Sequence, residues 1–168
     1  MNTEIEAVFT DINPDEVRSK LKVLRAEQIY PERLMRRRIF DFPDLRLDKT
    51  ASWVRLRDEG DKITLAFKTR SNETLHGMQE AESEVSDFDA TTQVLHSIGL
   101  TDKAYQETKR EMWYYNGCHI AIDTWPWIPT YIEVEGESED AVKSASADLG
   151  FSWEAALFDS VDAIYQQH

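Results

Sequence analysis

The sequence predicts an α+β fold: an eight-stranded antiparallel sheet, curled or closed into a β-barrel, with helices packed outside it. Three observations predict it. Apolar and polar residues alternate with a period of two over most of the chain. The alternating segments are joined by short turns rather than by crossover helices. The remaining segments carry helix start and stop signals of their own. At 168 residues, 41% hydrophobic and 30% charged, the chain has the size and composition of one folded domain over 1–168.

In chain order, Thr3–Phe9 alternates as a strand, with Ile5, Ala7 and Phe9 in one phase and Glu4, Glu6 and Val8 in the other. Asn13-Pro14-Asp15-Glu16 opens a helix, with Asn13 as N-cap, Pro14 at the first helical position and Val17, Leu21 and Leu24 as the buried stripe. Leu34–Phe42, Ser52–Asp58, Lys62–Thr69 and Gln79–Val85 read as strands, the middle two joined at Glu59-Gly60-Asp61. Asp89–Ile98 reads as a helix stopped by Gly99. Gln106–Tyr115 and Cys118–Thr124 form a hairpin at Asn116-Gly117, and Tyr131–Gly136 is the last strand. Ser138 caps a helix running to Leu149, and Ala155–Tyr165 reads as helical with a break near Asp159.

With 19 basic against 32 acidic residues the net charge is −13, which opposes nonspecific attraction to nucleic acid polymers or to an anionic membrane. The sequence shows no apolar run long enough to span a membrane, and MNTEIEAVF is acidic, so the expectation is a cytoplasmic protein. Cys118 is the one cysteine, which excludes an intramolecular disulfide and reads as a strand side chain rather than a nucleophile. P-loop, dinucleotide, zincin and hydrolase-elbow motifs are absent. Of the histidines, His96 falls in a helical pattern and suits a surface role, whereas His119 shares the phase of Asp123. Trp125-Pro126-Trp127-Ile128-Pro129 is a rigid aromatic loop, suited to core or rim packing and less well to base stacking.

Sorting each strand by phase separates an apolar face from a charged one. Alternation alone is also what a solvated sheet face produces. Helices, however, need the apolar face, so in a curled or closed sheet the charged face becomes concave and its charges converge. The charges are also segregated by sign along the chain, with acids on the first, fifth, seventh and eighth strands and bases on the second, third, fourth and sixth. Converging carboxylates without a Cys or His cluster point to Mg²⁺ or Mn²⁺. Converging arginines and lysines point to phosphate oxygens. Together they suit a metal-bound polyphosphate.

These residues resemble the CYTH family, the triphosphate tunnel metalloenzymes that include class IV adenylate cyclases and thiamine triphosphatases. The likeness rests on Glu4-x-Glu6, Trp53-Val54-Arg55-Leu56-Arg57, the strand ending in Lys68, Glu80-x-Glu82, Lys109-Arg110, and Ile122-Asp123-Thr124-Trp125-Pro126 followed by Tyr131-Ile132-Glu133-Val134-Glu135-Gly136. It implies an eight-stranded tunnel. It places Glu4, Glu6, Glu82, Asp123, Glu133 and Glu135 on the metal side and Arg55, Arg57, Lys68 and Arg110 on the phosphates. Arg36 and Arg38 are added to the phosphate set, with Arg37 as the inward residue if that strand has the other register; Lys109 lies out of phase with Arg110. The family's N-terminal signature is ExExK, and this chain has Val8 in place of the lysine, a charge that Arg36 or Arg38 is placed to supply.

The function so implied is Mg²⁺- or Mn²⁺-dependent hydrolysis of a triphosphate-containing small molecule: tripolyphosphate, a nucleoside triphosphate or thiamine triphosphate. Positioning and charge neutralisation would carry the reaction, with no dedicated general base in evidence. The alternatives are a class IV-type adenylate cyclase making cyclic AMP and pyrophosphate from ATP, and a non-catalytic polyphosphate or nucleotide binder. A homodimer accords with the family pattern.

Overall fold

The computed structural model describes residues 1–72, 74–158 and 165. Within it the strands are β1 (Asn2–Thr3), β2 (Ile5–Phe9), β3 (Glu27–Asp41), β4 (Ser52–Asp58), β5 (Ile63–Arg70), β6 (Met78–Val85), β7 (Thr101–Tyr115), β8 (Cys118–Thr124) and β9 (Tyr131–Gly136). The helices are α1 (Pro14–Val23), α2 (Phe88–Ser97) and α3 (Glu139–Asp148). All strands pair antiparallel in one sheet of order β1-β6-β5-β4-β3-β7-β8-β9-β2.

The first expected strand is two strands, which makes nine rather than eight. Asn2 and Thr3 pair with Glu80 and Gln79 of β6, whereas Ile5–Phe9 pair with β9 at the opposite edge of the sheet. The break falls at Glu4, whose N–H still donates to the Met78 carbonyl at 3.0 Å. One N-terminal segment thus stitches together two edges that would otherwise be open, and the sheet becomes a nearly closed barrel. The outer edge of β2 is covered at Val8, whose N–H and carbonyl both bond Leu157 at 2.9 Å.

β3 and β7 are longer than their alternation suggests, beginning at Glu27 and Thr101 rather than Leu34 and Gln106. Their pairing shifts register between Gln28 and Tyr30, between Tyr30 and Arg33, and between Ile39 and Phe40. Each irregularity resets the phase, so a period-two pattern cannot be followed through it. The third difference is at the end of the chain. Trp153–Ala155 is a 3₁₀ turn and Leu157 a strand bridge, so the helix expected from Ala155 does not start there; its remainder, at 159–164, lies outside the described residues.

Elsewhere the local signals act as read. The Asn13 carboxamide oxygen accepts the N–H groups of Asp15 and Glu16 at 3.0 and 3.4 Å. Asn116 and Gly117 turn the β7–β8 hairpin with φ of 48° and 79°. Helices α1 and α3 bury Val17, Leu21, Val142, Ala145 and Leu149 against Phe9, Ile120, Ile132 and Val134, while α2 covers Phe40 and Leu56. Cys118 is fully buried here, and burial raises its thiol pKa, as suits an inert core side chain. Gly136 is required opposite it, since a Cβ there would lie 2.8 Å from the Cys118 sulfur. With the apolar face spent on the helices, the charged face turns inward. No described helix is long and apolar enough to cross a membrane.

Candidate active site: a two-signed cavity inside the barrel

The barrel encloses a cavity of ≈ 510 Å³, within the roughly 300–1,000 Å³ usual for small-molecule sites. Alternation along each strand delivers its lining. The break before β2 contributes Glu4, and β2 Glu6 and Val8; β4 contributes Arg55 and Arg57, and β5 Lys68. β6 adds Glu80 and Glu82, β7 Arg110, and β9 Glu133 and Glu135. Glu4, Glu6, Glu82, Glu133, Glu135, Arg55, Arg57, Lys68 and Arg110, all named from the sequence, are therefore brought together.

Opposite charges meet across neighbouring strands. Lys68 lies 2.8 Å from Glu4 and 3.0 Å from Glu80, and Arg55 lies 3.0 Å from Glu82 and 3.4 Å from Glu80. Burial alone would raise Glu80, but Lys68 and then Arg55 outweigh it and hold its pKa at about 2. Arg110 donates from Nε and Nη2 to both oxygens of Asp123, at 2.7 and 2.6 Å, and approaches Glu133 at 3.5 Å. Burial would lower the Arg110 pKa, yet Asp123 and Glu133 raise it well above its ordinary value. Arg57 donates from Nε and Nη2 to a single oxygen of Glu59, Oε1, at 2.9 and 2.6 Å.

The carboxylates of Glu6, Glu133 and Glu135 are differently placed: an oxygen from each lies within 4.8 Å of the others. Burial and then Glu133 push Glu6 up to about 8 and Glu135 up to about 7. Glu133 would also be raised by burial, but Arg110 and Lys68 pull it below its ordinary range. Three oxygen donors that resist simultaneous ionisation fit a hard divalent cation such as Mg²⁺ or Mn²⁺ and lack the nitrogen or sulfur that zinc prefers.

Several expectations are corrected. Arg36 and Arg38 point out of the barrel, where they pair with Asp58 and Asp102. Arg37 takes the inward place, because β3 pairs Arg37 directly with Arg57 and so sets it in the cavity-facing phase. Asp123 does not line the cavity: it is fully buried behind it, with both oxygens on Arg110. As their phase and pattern suggest, Lys109 is exposed, 3.5 Å from Glu32, and His96 pairs with Asp102 at the surface, whereas His119 is exposed and packs edge-on against Tyr114.

Three members of the site stand outside the metal and phosphate sets named from the sequence. Glu80 carried the right signal, since it shares a face with Glu82. Glu59 looks like a turn residue, and only the hairpin geometry folds its carboxylate back onto Arg57. Trp125 is 5% exposed and forms part of the cavity wall beside Val8 and Tyr131, whereas Trp127, two residues on, is 92% exposed.

Among solved structures, the chain is similar over its whole length to proteins that share its fold. A candidate adenylate cyclase from Vibrio parahaemolyticus superposes with a TM-score of 0.84 at 13% identity, covering 98% of each chain. The PH1012 protein of Pyrococcus horikoshii does so with 0.79 at 15% identity, covering 96% of this chain and 98% of the other. A candidate adenylyl cyclase from Hippeastrum, described as having a dominant triphosphatase activity, superposes with 0.65 at 18% identity, covering 99% and 96%. No curated protein matches the sequence. The CYTH domain family matches residues 2–158, nearly the whole described chain, in agreement with the nearly closed barrel and its two-signed interior, and the chain belongs to that family.

Proposed function

We propose that the protein is a divalent-metal-dependent phosphohydrolase acting on a triphosphate-containing small molecule, such as tripolyphosphate, a nucleoside triphosphate or thiamine triphosphate. One observation carries this reading: a single cavity holds a cation-seeking carboxylate triad and a cluster of arginines, so it matches a ligand that is both polyanionic and metal-bound.

Glu6, Glu133 and Glu135 would hold Mg²⁺ or Mn²⁺, which supplies charge neutralisation at phosphoryl oxygens. Arg55, Arg57, Lys68 and Arg110 line the same cavity and would stabilise the charge that gathers on those oxygens as the bond to the leaving phosphate lengthens. Asp123 and Glu59 act behind them, fixing Arg110 and Arg57 so that little side-chain freedom is lost when a phosphate arrives. Burial of the whole set strengthens each of these interactions relative to water. A dominant triphosphatase activity is described for the Hippeastrum protein, whose likeness to this chain is one of fold.

The test is to incubate the protein with Mg²⁺ or Mn²⁺ and, separately, tripolyphosphate, ATP and thiamine triphosphate, resolving the products. Orthophosphate is expected. Pyrophosphate with cyclic AMP would make the protein a cyclase. Metal-dependent binding without product would make it a binder, the outcome to which Val8 in place of a cation points.

A further inference from the structure

One arginine inside the barrel is bridged to no carboxylate of the described residues. Arg55, Arg57, Lys68 and Arg110 each reach a carboxylate within 3.5 Å. Arg37 lines the same cavity and is 6% exposed, yet it makes no ion pair among the described residues. Its Nη2 donates to the Thr108 hydroxyl at 3.1 Å, its Nε has no partner, and its guanidinium lies over the Trp125 ring, 4.5 Å from the centroid. Asp123, the carboxylate that does act on it, spends both oxygens on Arg110. The other charges that face it are Arg57, Arg55 and Arg110, and with burial they lower its pKa to about 9.

A buried cation among three others is costly, and packing alone does not require one, since an apolar chain of equal length would fill the space. Its fixation nonetheless resembles that of its neighbours: Trp125 covers one face and Thr108 pins one nitrogen, so the guanidinium is oriented before any ligand arrives. Nothing on β2 substitutes for it, because Val8 packs against Trp125 as part of an apolar cluster.

We propose that Arg37 is a substrate-binding residue whose missing counter-ion is a phosphoryl oxygen, and that with Arg57 and Arg110 it forms the seat for one phosphate of the bound polyphosphate. Three guanidinium groups lining one cavity call for a compact anion with several oxygens, which a phosphoryl group is and a lone carboxylate is not. The inference rests on the polyphosphate reading of the cavity and names the residue on which binding most depends.

The test uses inorganic tripolyphosphate and the full chain, with titration calorimetry and thermal unfolding, in EDTA and in Mg²⁺. Arg37→Met is compared with wild type and with Arg36→Met, which alters the outer face. Without anion, Arg37→Met is expected to unfold at a higher temperature than wild type, because an uncompensated charge has been removed. Its affinity for tripolyphosphate is expected to fall about 10- to 100-fold, the size of one lost charge-assisted contact, while Arg36→Met binds as wild type does. Arg37→Lys, which keeps the charge and loses the fork, should bind between the two, and it supplies the answer if Arg37→Met does not fold. Binding by Arg37→Met within about threefold of wild type, a change of about 0.65 kcal/mol, or the same result for Arg37→Lys where Arg37→Met does not fold, overturns the role of Arg37 and leaves the polyphosphate reading standing. Absence of tripolyphosphate binding by wild type overturns both.

Discussion

The two walls of the cavity solve the problem of buried charge in opposite ways. On the basic wall, Arg57 and Arg110 are each forked onto a dedicated carboxylate, Glu59 and Asp123, that lies behind the cavity rather than in it. Their charge is therefore stable in the empty protein. On the acidic wall, Glu4 and Glu80 are matched by Lys68, but Glu6 and Glu135 face Glu133 without a cation of their own and are held towards the protonated state. The contrast shows where the fold is complete and where it awaits something: matched pairs set the shape, and the unmatched triad and Arg37 are what ligands must complete.

The largest effect should come from breaking a matched pair. Arg110→Met leaves Asp123 fully buried without its partner and is expected to cost about 3–5 kcal/mol in urea unfolding. Adding Asp123→Asn to the same chain should recover most of that stability but none of the phosphate release. A chain that loses no stability on Arg110→Met would remove the distinction between the walls. Next is the unmatched triad. Glu6→Gln with Glu135→Gln should stabilise the metal-free protein while weakening Mn²⁺ affinity by more than about 100-fold, beyond the range typical of residues one layer further out. Calorimetric titration checks the second half, and unchanged affinity would place the metal elsewhere.

Stability against pH separates the walls without mutation. Glu6 and Glu135, raised from 4.5 to about 8 and 7, keep protons that the unfolded chain gives up, so stability in EDTA should fall as pH rises from about 4.5 to 8. Glu80 has the opposite sign: lowered to about 2, it contributes stability above 4.5 that is lost as pH falls towards 2. The metal-free protein should therefore be most stable near pH 4.5, and Mg²⁺ should flatten the upper limb alone. The smallest effect lies outside the barrel: Asn13→Ala removes the cap of α1 and should cost about 1 kcal/mol with turnover unchanged.

Strand content was most legible where turns are tight. β4, β8 and β9 fall at Ser52–Asp58, Cys118–Thr124 and Tyr131–Gly136, as alternation bounded by short turns suggests. Arg55 and Arg57 of β4 and Glu133 and Glu135 of β9 entered the cavity for the same reason, since a fixed register fixes which phase faces inward. β3 was hard to read because its bulges reset the phase, and that one uncertainty exchanged Arg36 and Arg38 for Arg37. Asp123 was assigned to the metal side by the family likeness, whereas the register of the Asn116-Gly117 hairpin sets it directly opposite Arg110, which takes both of its oxygens.

The sequence by itself determined that the sheet has an apolar and a charged face, which residue types occupy each, and that acids and bases sit on different strands. These are local properties, set by the two-residue repeat of an extended chain. Only the tertiary structure decided that the N-terminal segment splits at Glu4 to close the barrel, that Arg57 and Arg110 are clasped from behind, and that Arg37 stands uncompensated among them. The split and the setting of Arg37 depend on which distant strands become neighbours, the two clasps on side-chain distances within a hairpin, and charge interactions inside a low-dielectric cavity are governed by such distances rather than by order along the chain.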